Sequence, residues 1–170
     1  MVASMDSIKQ LREETGAGIM DCKRALEDAA GDIEHARGLL RERGIARAEG
    51  RSGRVASQGL VHSYVHSGRV GALVEVNCET DFVARTDDFK ALVHEIAMQV
   101  ASMSPAVVAR EDLEPGDDRD PKEVALLEQA YIRDNHKTIR DLVQETIAKT
   151  SENIRVNRFV RFELGQKPGD

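Results

Sequence analysis

Two periodicities divide this chain. From residue 4 to about residue 43, apolar side chains recur every three or four positions, the spacing of helices that each bury one face. Ile8, Leu11 and Thr15 share a face of a first short helix, which Gly16 and Gly18 break. Ile19, Cys22, Leu26 and Ala29 mark a second, with Gly31 as its stop. Asp32 can cap a third, which carries Ile33, Ala36, Leu39 and Leu40 on one side. Helices this short do not persist alone in water, so they must pack on one another. The resulting unit of roughly forty residues is near the lower limit for independent folding.

From Gln58 the pattern alternates instead. Leu60 to Val65 and Val70 to Cys78 read as a β-hairpin turned through Ser67-Gly68-Arg69. Helical spacing returns from about Asp87 to Ser102, where Phe89, Leu92, Val93, Ile96 and Val100 form an apolar stripe with His94 at its border. Residues 103–120 hold Pro105, Pro115, Gly116 and an acidic cluster from Glu111 to Asp120, and read as a mobile, partly folded surface excursion. A new helix is expected from Asp120-Pro121-Lys122-Glu123, with Asp120 as cap, Pro121 at the first helical position and Glu123 completing a capping box. A further helix spans about Lys137 to Thr150, with Ile139, Leu142, Val143 and Ile147 inward. The last element is a strand from Ile154 to Leu164. Its alternation puts Ile154, Val156, Val160, Phe162 and Leu164 on one side and Arg155, Asn157, Phe159, Arg161 and Glu163 on the other. Arg158 interrupts the apolar side, which predicts a bulge or an edge position.

These elements make an α+β chain: three N-terminal helices, a linker, then a small antiparallel three-stranded sheet backed by helices. The expected organisation is a helical domain over residues 1–44, a basic linker over 45–57, a sheet domain over 58–165 and a tail over 166–170. The linker region carries Arg41, Arg43, Arg47, Arg51 and Arg54 among Glu and Gly, a helix remnant running into flexible chain. Such a run can touch RNA or an acidic protein, but more often it is merely solvated.

Composition removes several classes of function. With 170 residues and 41% hydrophobic content the chain can fold. A net charge of −6 argues against general nucleic-acid binding, which needs a positive field. The two cysteines, Cys22 and Cys78, are far apart and fit neither a disulfide framework nor a zinc site, which suits a reducing cytoplasm. Met1 to Asp6 lacks the layout of a signal peptide, and no apolar run nears the ~20 residues of a membrane helix. The expectation is a cytoplasmic protein with no membrane partner.

Candidate chemistry is sparse. Thr15-Gly16-Ala17-Gly18 followed by Lys23 misses the Walker spacing, so a tight helix-to-helix turn, either alone or also presenting a docking surface, accounts for it better than a phosphate loop. His62, Tyr64 and His66 share one strand face, but no carboxylate or Cys completes a metal set, and exposed polar positions explain them. Ser and Cys residues lack a nucleophile motif, so catalysis by this chain is not expected, and neither is a cofactor. One stretch stands apart: Cys78-Glu79-Thr80-Asp81-Phe82-Val83-Ala84-Arg85, where a strand gives way to a helix. Phe82, flanked by Val83 and Ala84 and framed by Asp81 and Arg85, has the make-up of an interface anchor with a polar rim. It could equally pack under the following helix. The residues alone leave that open.

Three runs go further. Leu11 to Leu26 (LREETGAGIMDCKRAL), Leu73 to Arg85 (LVEVNCETDFVAR) and Glu152 to Phe162 (ENIRVNRFVRF) resemble, in order, two signatures and the core end of the bacterial elongation factor Ts family. The resemblance covers most of the chain. It implies that the first three helices form a ubiquitin-associated-like domain, and that the partner is elongation factor Tu, GDP-bound or nucleotide-free. The implied activity is guanine-nucleotide exchange on that partner, not enzymatic turnover. It further implies that Thr80, Asp81, Phe82 and Val83 enter the partner's G domain and disturb its magnesium site. Phe82 is then the wedge, Asp81 the polar contact beside it, and Thr80 and Val83 the supports. Arg12, Met20, Asp21, Cys22 and Lys23 supply secondary contacts. The chain resembles the short form of the family, whose members can pair as symmetric dimers; an exposed final strand would supply a sheet edge for this. The rival reading is a ribosome- or nascent-chain-associated binding module using the helical domain and the Arg-rich linker.

Overall fold

The computed structural model describes residues 4–166. The first three residues and, but for Gln166, the expected tail lie outside them. Helix α1 (Met5–Thr15) starts where the Ser4 hydroxyl accepts from the Ser7 N–H, and stops at Gly16, whose left-handed φ of 66° turns its N–H back to the Arg12 carbonyl. Helix α2 spans Ile19–Asp28. Helix α3 (Ile33–Glu49) opens on the Asp32 carboxylate, which accepts from the His35 N–H at 2.9 Å. Ile8, Leu11, Cys22, Ala25, Leu26, Ala29 and Ala36 bury one another, with Ile33, Leu39 and Leu40 packed around them. Burying a residue such as Leu26 is worth about 1.5–3 kcal/mol, the term that holds helices this short together.

Helix α3 runs on to Glu49, into the residues where sequence suggested a linker. Ala46 and Ala48 are strong helix formers and Ala48 is buried, so local preference and packing agree there. Past its end, the Asn153 amide donates to the carbonyls of Ser52 and Arg54 at 3.3 and 2.8 Å. Two compact units result. Among the described residues, one gathers 4–54 with Gln144–Asn153; the other gathers Val55–Val143 with 154–166.

The second unit is built on a sheet of order β1-β2-β5: β1 (Gln58–His66), β2 (Val70–Cys78) and, at the far end of the chain, β5 (Arg155–Glu163). Both pairings are antiparallel. The hairpin turns through Ser67 and Gly68, both at positive φ. Gly59 is obligatory for another reason: a Cβ there would sit 2.1 Å from the Val76 carbonyl oxygen. Ala72, Val74 and Val76 point from β2 towards α5 (Asp87–Met103), whose Phe89, Leu92, Val93, Ile96, Ala97 and Val100 are buried. A one-turn helix, α4 (Asp81–Ala84), joins β2 to α5.

The expected bulge is present, and it changes the reading of the last strand. Glu75 pairs with Arg158 but Val76 pairs with Val156, so Asn157 is the extra residue. An inserted residue reverses the alternation beyond it. Ile154 and Val156 are buried as expected, but Phe159 pairs with buried Val74 and Arg161 with buried Ala72. Val160, Phe162 and Leu164 are therefore on the uncovered side, and Phe162 is 72% exposed. Arg161 is kept on the helix side by donating to the Ala101 carbonyl at 3.1 Å, near the C-terminal end of α5.

The segment before β5 also differs from expectation. The helix expected at Asp120 is one turn, α6 (Pro121–Val124), capped by the Asp120 carboxylate accepting from the Lys122 N–H. Its continuation is taken by tertiary hydrogen bonds. The Val124 carbonyl accepts from Ala106 and Val107, and the Glu123 carbonyl accepts from the Gln129 amide at 2.7 Å. Leu126 and Leu127 in turn donate to the carbonyls of Val107 and Val108, so the near part of the 103–120 excursion is tied down rather than loose. Two short strands follow, β3 (Ala130–Tyr131) and β4 (Asp134–Thr138), and then α7 (Ile139–Thr150). Buried Gln99 of α5 organises this region: its amide donates to the Gln129 side chain and the Ala130 carbonyl, and its oxygen accepts from the Ile132 N–H. Beside it the Tyr131 hydroxyl donates to Glu95 at 2.6 Å, and burial together with that carboxylate pushes the phenol up to about 12.

Candidate functional site

Strand β2 ends at buried Cys78, whose thiol donates to the Thr80 carbonyl at 3.1 Å. Thr80 is extended, and its hydroxyl accepts from the Val83 N–H at 3.3 Å, so it caps α4. Within α4 each residue has a distinct task. Ala84 is buried and roots the turn, Val83 is half-buried, and Phe82 is 78% exposed. Asp81 and Arg85 form an ion pair at 2.9 Å across one turn. Both are largely in water, so the pair adds little stability, but it frames the ring with two charges.

The turn is closed on its far side by Thr86. Its N–H and its hydroxyl both donate to the Val83 carbonyl, at 3.0 and 2.8 Å. The same hydroxyl oxygen accepts from the Phe89 N–H at 3.3 Å and so caps α5. A four-residue helix has no stability of its own. This one is held by a β-strand on one side and a seventeen-residue helix on the other. An apolar ring on a fixed backbone, uncovered by its own chain, suits insertion into another molecule; it is not a pocket for a small substrate. The question the residues left open is answered against packing under α5, where Phe89 occupies the core instead.

The first unit carries the other expected contacts. Arg12 and Met20 are exposed, and Met20 has exposed Ile19 beside it, a residue that motif reasoning passed over. Asp21 and Lys23 are half-buried, and Lys23 lies 3.8 Å from Glu27. Cys22 is fully buried among Ile8, Leu11 and Leu26, and burial pushes its thiol pKa up. Its side chain thus lies in the core between α1 and α2 and not at the surface. Gly16 and Gly18 bound the loop that sets α2 in place, and Gly16 is covered by the Lys149 side chain, which a Cβ would meet at 2.5 Å.

His62 and His94 face each other with Nε2 and Nδ1 3.2 Å apart, and the Tyr64 hydroxyl and His66 Nδ1 are 3.0 Å apart. Burial, and then the neighbouring His94 ring, lower the pKa of His62. Among the described residues no three His, Cys, Asp or Glu side chains gather as a metal site. No helix among them is long and apolar enough to cross a membrane.

Comparison with known proteins adds an independent line. The family model described as Elongation factor TS matches residues 44–117 and 118–166. A protein of Coprothermobacter proteolyticus named Elongation factor Ts is 50% identical over 197 aligned positions, covering 98% of this chain and all of the relative. Proteins of the same name from Thermoanaerobacter sp. and Thermotoga petrophila are 49% and 48% identical, covering 96% and 98% of this chain. These alignments are longer than the chain itself, so the relatives carry residues with no counterpart here.

Proposed function

The chain belongs to the elongation factor Ts family, and from that premise we propose that it releases GDP from elongation factor Tu by inserting α4 into the partner's G domain. Phe82 is the wedge that disturbs the partner's magnesium site. Asp81 makes a polar contact beside it, and Thr80 and Val83 hold the turn. Exposed Phe82, mounted between β2 and α5, is the observation that carries this reading.

The chain need not touch the nucleotide. It has to bind the nucleotide-free partner better than the GDP-bound one, and by linkage that preference loosens GDP by the same factor. Weakening GDP ~10⁴-fold takes about 5.5 kcal/mol of differential binding. A single aromatic anchor supplies about 2–4 kcal/mol on truncation. The remainder is assigned to secondary contacts from the first unit: Arg12, Met20, Asp21 and Lys23 at its surface, with Cys22 acting from its core.

A homodimer is part of the same proposal. Among the described residues strand β5 is a sheet edge, and beside it the helix-free face exposes Val61, Val65, Leu73, Val160, Phe162 and Leu164. The protein works in the cytoplasm as an exchange factor and not as an enzyme.

The direct test is stopped-flow release of fluorescent GDP from purified elongation factor Tu with and without the chain. Acceleration that saturates with chain concentration is expected. Release at the spontaneous rate throughout refutes the reading.

A further inference from the structure

Building on that reading of α4, we infer that Thr86, outside the four-residue turn that meets the partner, is a positioning residue for nucleotide exchange. It has one side-chain oxygen and uses it twice. As donor, Oγ1 reaches the Val83 carbonyl at 2.8 Å and closes α4 from behind. As acceptor, Oγ1 takes the Phe89 N–H at 3.3 Å and caps α5. Its backbone N–H also binds the Val83 carbonyl, and its own carbonyl accepts from Lys90. Thr86 is thus the joint through which a rigid helix fixes the angle of a turn too short to fix itself. Phe89, the residue it caps, is wholly buried against the sheet, which anchors the joint to the core.

The need for such a joint follows from the exposure of Phe82. Its ring gains little from its own chain, so nothing at the ring holds the backbone beneath it. If α4 frays, only a fraction of molecules present the ring correctly, and apparent affinity falls by that fraction. Once the partner is bound, the ring is ordered and does the same work. Loss of Thr86 therefore acts on the concentration of chain needed for half-maximal exchange and leaves the maximal rate alone. A fold defect also raises the half-maximal concentration, because it removes active molecules, but it does so whether or not the ring is present.

The experiment measures GDP release from elongation factor Tu over a range of chain concentrations for the parent, Thr86→Val, Thr86→Ser, Phe82→Ala and the Phe82→Ala/Thr86→Val double variant. Thr86→Val keeps the shape and removes the hydroxyl. It is expected to raise the half-maximal concentration about fivefold, the usual size of a lost N-cap, with the maximal rate unchanged. Thr86→Ser restores the hydroxyl and the parent value. In the Phe82→Ala background Thr86→Val has no further effect, since it acts only through the ring. A parent-like half-maximal concentration for Thr86→Val, or an equal loss in both backgrounds, overturns the inference while leaving the wedge standing. Parent-like exchange by Phe82→Ala overturns the wedge, and the inference with it.

Discussion

Truncating Phe82 to Ala is the perturbation on which the site reading is most exposed. The ring is 78% exposed in the free chain, so most of its apolar surface is available to a partner. Full burial of a Phe side chain is worth about 1.5–3 kcal/mol, so covering that share yields about 2 kcal/mol. At 1.4 kcal/mol per tenfold, this is roughly a thirtyfold loss in the second-order rate of GDP release. The loss is far short of the ~10⁴-fold effect that a full exchange factor needs, so Phe82→Ala retains weak activity. The same exposure sets the stability cost. A surface substitution in a helix changes stability by no more than about 0.5 kcal/mol, so the urea midpoint stays put. Stopped-flow fluorescence reads the first quantity and a denaturation curve the second. A variant that exchanges within about twofold of the parent refutes the wedge. A variant that loses several kcal/mol of stability refutes the premise that the ring is free.

Three other outcomes are expected. Leu26→Ala hollows the small three-helix core and costs about 2–5 kcal/mol, enough to strip amide-exchange protection from α1 and α2; unchanged protection there contradicts the packing described. His62 has its pKa held below the ordinary 6.5 by burial and by His94, so the unfolded chain binds more protons than the folded one just below that pH. Stability is therefore complete above about pH 6.5 and falls as pH falls through the window beneath it, and the slope flattens in His62→Gln; a urea midpoint independent of pH across that window, or an equal slope in the variant, counts against this. If two copies pair through the β5 side of the sheet, Phe162→Lys converts a dimer to a monomer in sedimentation at micromolar concentration, and a parent that sediments as a monomer refutes the pairing.

Much of this molecule can be read from its residues, and the failures are local. Helix starts at Asp32 and Asp87, the hairpin from Gln58 to Cys78 and the bulge near Arg158 are all written in short-range signals: a cap, an alternation, a charge out of phase. The faces of Val160 and Phe162 were misread because one extra residue inverts everything after it, and the residue itself, Asn157, carries no mark. The helix expected at Asp120 stopped after one turn because its carbonyls are claimed by residues from other segments, Ala106, Val107 and Gln129, which no local window contains. At the candidate site, sequence singled out Phe82 and, through the family resemblance, Thr80, but not that the ring is uncovered or that Thr80 caps the turn. It also grouped buried Cys22 with surface residues, because a motif lists neighbours in the chain without saying which way they point. Thr86 escaped notice because its importance lies in two simultaneous hydrogen bonds, not in its identity.

The odd residue in β5 has a consequence for how this strand can change. Removing the single codon for Asn157 would take out the one residue of the strand that has no partner across the ladder and leave the pairings on either side of it intact, Val156 with Val76 and Arg158 with Glu75. Phe159 and Arg161 would stay on the helix side, and Val160 and Phe162 on the open one, because the shortened strand alternates without a break. A one-residue deletion there would thus straighten the strand and leave its greasy and charged sides where they are, whereas most single-residue deletions in a strand exchange them.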